Sequence, residues 1–312
     1  IRRWSSMMLL LSCHLSAGLK TAEAPEAPMS SAASGYLAVS KPLWKLDTGG
    51  TMVVPTGLKH FSLDIGVNKG LATRRWLEID PDALVIGVEA NSRLVMMLTE
   101  VEKPNQPTNY VGWLQTNQSI RAQRGAIHEL VASALTIKAN TARTLIINAA
   151  AGRGGGARDF NTGAKNDDTG SLFSGDLSGS SPGAVPMVPL GDILQHVPLH
   201  LRWDVLKIDV QGADVEALLS AGKLVRRFAC VVGEYDVGEY EVPKTLATDP
   251  VPFLIENEFV MVVPRARSNQ KGYSPSVAAL GRSTSVVNSV WINTRAYVRP
   301  RMALQPAPLA RA

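Results

Sequence analysis

Short apolar runs separated by helix-patterned segments constrain this chain more than any other feature of its sequence. His60–Ile65, Leu84–Val88, Thr144–Asn148, Asp204–Val210 and Arg227–Val232 each read as a short, buried-type strand. Leu71–Ile79, with Trp76 facing inward, Ser92 to about Glu102, Ser119–Leu135 and Asp214–Ala221 read as helices between them. Gly222 is placed to cap the last of these. Strands that alternate with helices specify a mainly parallel α/β sheet with right-handed crossovers. Two further runs, Phe259–Val263 and Ser289–Asn293, have no clear helix between them, which predicts an antiparallel pair at one edge.

In such a sheet, ligands bind beyond the carboxyl ends of the strands. That rule selects three clusters. Asp64-Ile-Gly66-Val-Asn68-Lys-Gly70 joins the first strand to the first helix, and its two glycines permit a tight turn close to a ligand. The spacing is neither the three-glycine dinucleotide pattern nor a phosphate-binding loop of the Walker type. Glu89 closes the second strand, where an acid suits a ribose diol or, equally, the dipole of the next helix. Lys207-Ile-Asp209-Val-Gln211-Gly212-Ala-Asp214 closes a central strand; alternation puts Asp209 and Gln211 near its top and Asp214 near the next helix start.

Charge and composition narrow the field. The chain has 312 residues, enough for one large or two small domains, and a formal net charge of +5. The excess sits at the two ends: Arg2, Arg3 and Lys20 near the start, and Arg295, Arg299, Arg301 and Arg311 near the finish. The stretch between residues 41 and 294 is balanced, which argues against a basic nucleic-acid-binding face. The 2 cysteines, Cys13 and Cys230, exclude a disulfide framework or a cysteine-rich zinc site. No apolar run reaches the roughly 20 residues a spanning helix needs, so no transmembrane span is expected. Arg2-Arg3 ahead of the mostly apolar Met7–Ala17 reads as a targeting signal or as a plain disordered leader. Those two readings place the protein in the secretory pathway or an organelle, or in the cytoplasm. The expected organisation is a leader over 1–35, a catalytic-type domain over 36–294 and a basic disordered tail over 295–312. Residues 152–183 hold nine glycines and few large hydrophobes (Phe160, Leu172, Phe173, Leu177), and read as a long loop or an irregular insertion.

Together the three clusters resemble the FkbM-type family of class I S-adenosylmethionine-dependent methyltransferases. That family carries D-x-G-A-N-x-G, matched by Asp64 to Gly70 with Val67 in place of Ala. It carries E-P/A-N, matched by Glu89-Ala90-Asn91, and K-I-D-x-E-G-x-E, matched by Lys207 to Asp214. In the last motif Gln211 and Asp214 stand where the family has Glu. The resemblance covers about residues 58 to 294, with weaker echoes at Asn148 to Gly152, Ser171-Leu172 and Val188 to Leu194. It implies a Rossmann-like, doubly wound, mainly parallel seven-stranded sheet with an antiparallel C-terminal strand.

The resemblance further implies that S-adenosyl-L-methionine is the cofactor. Asp64, Gly66, Asn68 and Gly70 would hold its methionine portion, Glu89 its ribose, and residues from Asn148 onward would flank the adenine. The acceptor would be a small-molecule or glycan hydroxyl. Asp209 is the first candidate for its base and Glu234 the second, because His60, His196 and His200 fall at the opposite end of the sheet. No His/Asp spacing suggests a metal site. The alternative is a cofactor-binding or interaction domain without catalysis, motivated by Gln211. A nicotinamide-dependent oxidoreductase is disfavoured by the missing three-glycine pattern.

Overall fold

The computed structural model describes residues 45–99, 120–161, 172, 182–235, 249–262 and 287–295. The expected leader over 1–35 and nearly all of the expected tail over 295–312, like much of the glycine-rich stretch, lie outside these residues.

The main sheet has seven strands: β1 (His60–Ile65), β2 (Ala83–Glu89), β3 (Thr144–Asn148), β7 (Arg202–Ile208), β8 (Phe228–Tyr235), β9 (Phe259–Val262) and β10 (Val287–Asn293). Their order is β3-β2-β1-β7-β8-β10-β9. The first five run parallel, while β10 pairs antiparallel with both β8 and β9. β1 is flanked by β2 and β7, and the chain reverses its direction of travel across the sheet between β1 and β7. Such a reversal opens a crevice at the carboxyl ends of the strands.

The continuous apolar character of these strands follows from coverage on both faces. Every residue of β2 is buried. On one face pack α1 (Leu71–Ile79), α2 (Ser92–Thr99) and α3 (Ile120–Ala139). Trp76, Leu77, Leu94, Leu98, Leu130 and Ile137 meet Val85 and Val205 of the sheet there. On the other face, α4 (Leu190–Leu194) and α5 (Asp214–Ser220) meet Phe61, Leu63, Ile86 and Leu206. Phe61, Trp203 and Phe228 form an aromatic cluster in that layer, with Phe61 and Trp203 edge-to-face at 5.3 Å. A short helix, α6 (Val251–Glu256), leads into β9. Among the described residues no helix is long and apolar enough to cross a membrane.

Two sequence expectations are corrected. The central strand runs from Arg202 to Ile208, two residues earlier than the expected Asp204–Val210. The Asp209 amide still bonds to the Ile65 carbonyl at 2.9 Å, but Gln211 adopts φ 53°, so the chain is already turning. The described parts of the expected loop at 152–183 include regular structure. β5 (Ala157–Asn161) pairs antiparallel with β6 (Pro182–Val188), and β6 pairs in parallel with the short β4 (Ala150–Ala151). This small sheet, in the order β4-β6-β5, continues from the carboxyl end of β3.

Candidate active site

The turn after β1 is built around one close approach. Gly66 has φ 77°, and a Cβ placed on it would lie 1.8 Å from the Asp209 carbonyl oxygen. Only glycine lets the ends of β1 and β7 touch here. Asn68 follows at φ 52°, and Gly70 at φ 74° starts α1. A Cβ on Gly70 would meet Leu98, Ser133 and Ile137, so this glycine seats α1 against α2 and α3 instead of facing the crevice.

Beneath that turn lies a charged strut. Asp64 is fully buried, and its Oδ2 accepts from the Thr73 amide (3.1 Å) and hydroxyl (2.7 Å). Its Oδ1 faces Lys207 Nζ at 3.1 Å, a pairing set by the register of Asp64 opposite Lys207. The same ammonium donates to the Gly66 carbonyl at 3.0 Å and lies 3.5 Å from Asp209 Oδ2. Burial alone would lower the Lys207 pKa. The carboxylates of Asp64 and Asp209 outweigh it and hold the ammonium above the ordinary lysine range.

Glu89 ends β2 with both carboxyl oxygens engaged: Oε2 accepts from the Asn68 amide and Oε1 from the Asn91 amide, each at 2.8 Å. Burial holds its pKa above the ordinary carboxylate range, and these amides and Lys207 only partly offset that. Asn91 caps α2 through Oδ1, accepting from the Arg93 (3.1 Å) and Leu94 (3.4 Å) amides. Its buried Nδ2 has no hydrogen-bond partner. Across the crevice, Asp209 Oδ1 accepts from Gln211 Nε2 at 3.1 Å. Asp214 ties down the turn that carries both, its two oxygens accepting from the Val210 and Gly212 amides at 3.0 Å each. Burial, aided by the Asp209 charge, pushes the Asp214 carboxyl up to about 7 against the opposing pull of the amides.

These elements surround a cleft that opens to solvent. Gly66, Asn68, Glu89 and Asp209 all line it, together with Asn91 and Gln211. Asp64 is buried below the cleft, where it holds Lys207. Asn148 sits beside it: its Nδ2 donates to the Glu89 (3.0 Å) and Ala90 (3.2 Å) carbonyls and props the backbone that presents Glu89. Glu234 lies at the carboxyl end of β8, opposite Asn288 of β10.

The far wall of the cleft comes from the small sheet. Phe160 of β5 and Leu172 line the cleft, and Phe160 shares a small apolar cluster with Ala150, Val185 and Met187. In the sequence, Phe160 stood out only as a large hydrophobe in an otherwise polar, glycine-rich stretch, while Leu172 also belonged to the weak family echo at Ser171-Leu172. Arg153 fastens this wall to α5 through two hydrogen bonds to Glu216, at 2.9 and 2.7 Å.

Among the described residues no histidine lines the cleft. His60 hydrogen-bonds Asp80 and faces Asp204 at the amino end of the sheet, away from the cleft. Asp204 is held in turn by Arg202 Nε at 2.7 Å. These three residues stand close enough to offer ligand atoms to one ion, a convergence of β1, β7 and the end of α1 that linear spacing conceals. His196 bonds the Gly50 carbonyl and anchors the incoming segment to the turn after α4.

Comparison with known proteins adds one finding. Residues 64–261 match the family model described as the methyltransferase FkbM domain. No curated protein and no solved structure matches the chain.

Proposed function

The chain belongs to the FkbM methyltransferase family, and from that premise we propose that it transfers a methyl group from S-adenosyl-L-methionine to a hydroxyl of a small molecule or sugar. The supporting observation is that Gly66, Asn68, Glu89 and Asp209, which come from three separate turns, line one cleft at the strand carboxyl ends. Two features suit that cofactor. Gly66 lines the cleft with no side chain of its own, and Asn91 Nδ2 is a buried donor awaiting an acceptor.

S-adenosyl-L-methionine supplies an electrophilic methyl group on a sulfonium. The residues of this chain supply position and charge. Glu89 keeps lone pairs free beyond the two amide bonds it accepts, and these accept from the ribose hydroxyls. The turn from Gly66 to Asn68 receives the amino-acid portion. Asp64 holds that turn from below through Thr73 and Lys207. Asp209, oriented by Lys207 and Gln211, accepts the proton of the acceptor hydroxyl. Alignment of an acceptor with a bound donor contributes about 7–11 kcal/mol to barrier reduction in well-oriented systems.

A second reading, cofactor binding without catalysis, draws on Gln211 where the family carries Glu. Calorimetry on the full chain with S-adenosylmethionine and S-adenosylhomocysteine tests the binding. The expected result is binding of both, weakened at least tenfold by Glu89→Ala. A folded chain that binds neither overturns the proposal, and an unaffected Glu89→Ala variant overturns the site. Methyl transfer to any hydroxyl in an acceptor panel, lost in Asp209→Asn with binding retained, separates catalysis from binding alone.

A further inference from the structure

A second convergence of side chains lies at the amino end of the main sheet, away from the cleft. His60 opens β1, Asp204 belongs to β7, and Asp80 follows the last turn of α1. One ligand atom from each of the three lies within 4.8 Å of the other two. Both aspartates are buried, while the His60 side chain is 26% exposed, which leaves the cluster a way to solvent. A break in strand register brings Asp204 there. Trp203 stands opposite Phe61 and Val205 opposite Ser62, so Asp204 is an extra residue in β7. A bulge of this kind re-aims a side chain at the cost of regular pairing.

His60 Nδ1 faces both carboxylates: it hydrogen-bonds Asp80 Oδ2 and lies 3.8 Å from Asp204 Oδ2. One ring nitrogen carries at most one hydrogen and so satisfies one of the two. A cation in the same place would bind all three groups. The second oxygen of each carboxylate is held from outside the cluster. Asp80 Oδ1 accepts from the Asp82 amide at 3.0 Å. Asp204 Oδ1 accepts from Arg202 Nε at 2.7 Å, and Arg202 Nη2 lies 3.3 Å from Oδ2. Arg143 fixes the turn that carries Asp80 through the Leu77 and Asp80 carbonyls, at 2.6 and 2.7 Å. Outer partners of this sort orient ligating carboxylates and leave one oxygen turned inward.

We propose that His60, Asp80 and Asp204 bind one divalent metal ion of the zinc class, in a structural site that pins β1, β7 and the end of α1 together. One imidazole, two carboxylates and an open position for water suit zinc, whereas magnesium and calcium favour sets made of oxygen alone. Zinc bonds of about 2 Å set tetrahedral ligand atoms about 3.3 Å apart, so a contraction of roughly 1 Å completes the shell. The site is independent of the methyltransferase reading, and His60 precedes the matched residues 64–261.

The test is calorimetric titration of the full chain with zinc chloride after removal of metals by chelation. We expect one zinc ion per chain with a micromolar or tighter Kd. Binding should weaken at least about tenfold in His60→Gln and in Asp204→Asn, since even outer-shell changes cost that much. Zinc should also raise the thermal midpoint of the parent and leave that of His60→Gln unmoved. A parent chain that binds no zinc overturns the proposal, and so does binding that is unchanged in both variants. Magnesium binding as tight as zinc overturns the assignment to the zinc class. Zinc-edge X-ray absorption of the loaded parent needs no variant, and so decides the matter where a variant fails to fold. A shell of one imidazole with oxygen donors is expected; a sulfur ligand, or more than one imidazole, overturns the site.

Discussion

Lys207 and Asp64 show what a single residue pair does beneath the cleft. Asp64 is fully buried, and Lys207 supplies its countercharge at 3.1 Å. Removing one partner of such a pair leaves a bare buried charge, which costs about 3–5 kcal/mol. Lys207→Met is therefore expected to lose about that much stability in urea unfolding. The Asp64→Asn/Lys207→Met double variant should recover a good part of it, because neither residue is then charged. Equal losses in the single and double variants would show that the two side chains are not coupled. Both residues were legible as strand ends bearing charge, and their contact was not. It arises from the parallel register of β1 with β7, which no local pattern encodes. The same holds for Val67, where the family motif has Ala. Its Cγ2 takes space that a side chain on Gly87 would need, 2.5 Å from the place of a Cβ there. A glycine inside a strand advertises close approach but does not name the approaching residue.

At the scale of elements, the strands of the main sheet were legible because burial on both faces makes them continuously apolar. β5 and β6 were not. Their sequences, Ala-Arg-Asp-Phe-Asn and Pro-Gly-Ala-Val-Pro-Met-Val, combine two prolines, a glycine and charged residues, all poor strand formers. Pairing with β4 and the packing of Phe160, Val185 and Met187 decide the outcome. The start of α5 makes a pH-dependent contribution of its own. With the Asp214 carboxyl at about 7 in the folded chain and near 3.8 when exposed, the folded state is the better proton binder between those values. The stability this group provides is complete below about pH 4 and is lost as pH rises through about 7. Thermal unfolding of the parent should thus shift upward on going from pH 8 to pH 5.5, relative to Asp214→Asn, which has no carboxyl to titrate there. The expected relative gain is about 2 kcal/mol, since the window from pH 7 down to pH 5.5 spans about one and a half pKa units at about 1.4 kcal/mol each. Parallel pH profiles for the two proteins would mean that Asp214 does not titrate in this window.

For the whole molecule, charge separates from the site. The net +5 arises from the ends of the chain, while the cleft is dominated by carboxylates: Glu89 and Asp209 line it and Asp64 lies below it. A positively charged sulfonium suits that environment, and a polyanion does not. The basic end is not wholly separate from the fold, however. Arg295 donates to Glu258 at 2.6 Å, and its amide bonds Asn293 Oδ1, fastening the end of β10 to the turn between α6 and β9. A fragment that keeps the fold therefore runs to Arg295, and 41–295 retains every described residue. This fragment is expected to bind S-adenosylhomocysteine within about twofold of the full chain. It should also elute from heparin at lower salt, because charge at the removed ends governs adsorption to a polyanion. A folded fragment with tenfold weaker binding would place part of the cofactor site in the removed ends. Unchanged heparin retention would move the basic face onto the sheet domain itself, reopening the nucleic-acid reading that the balanced charge of 41–294 argues against.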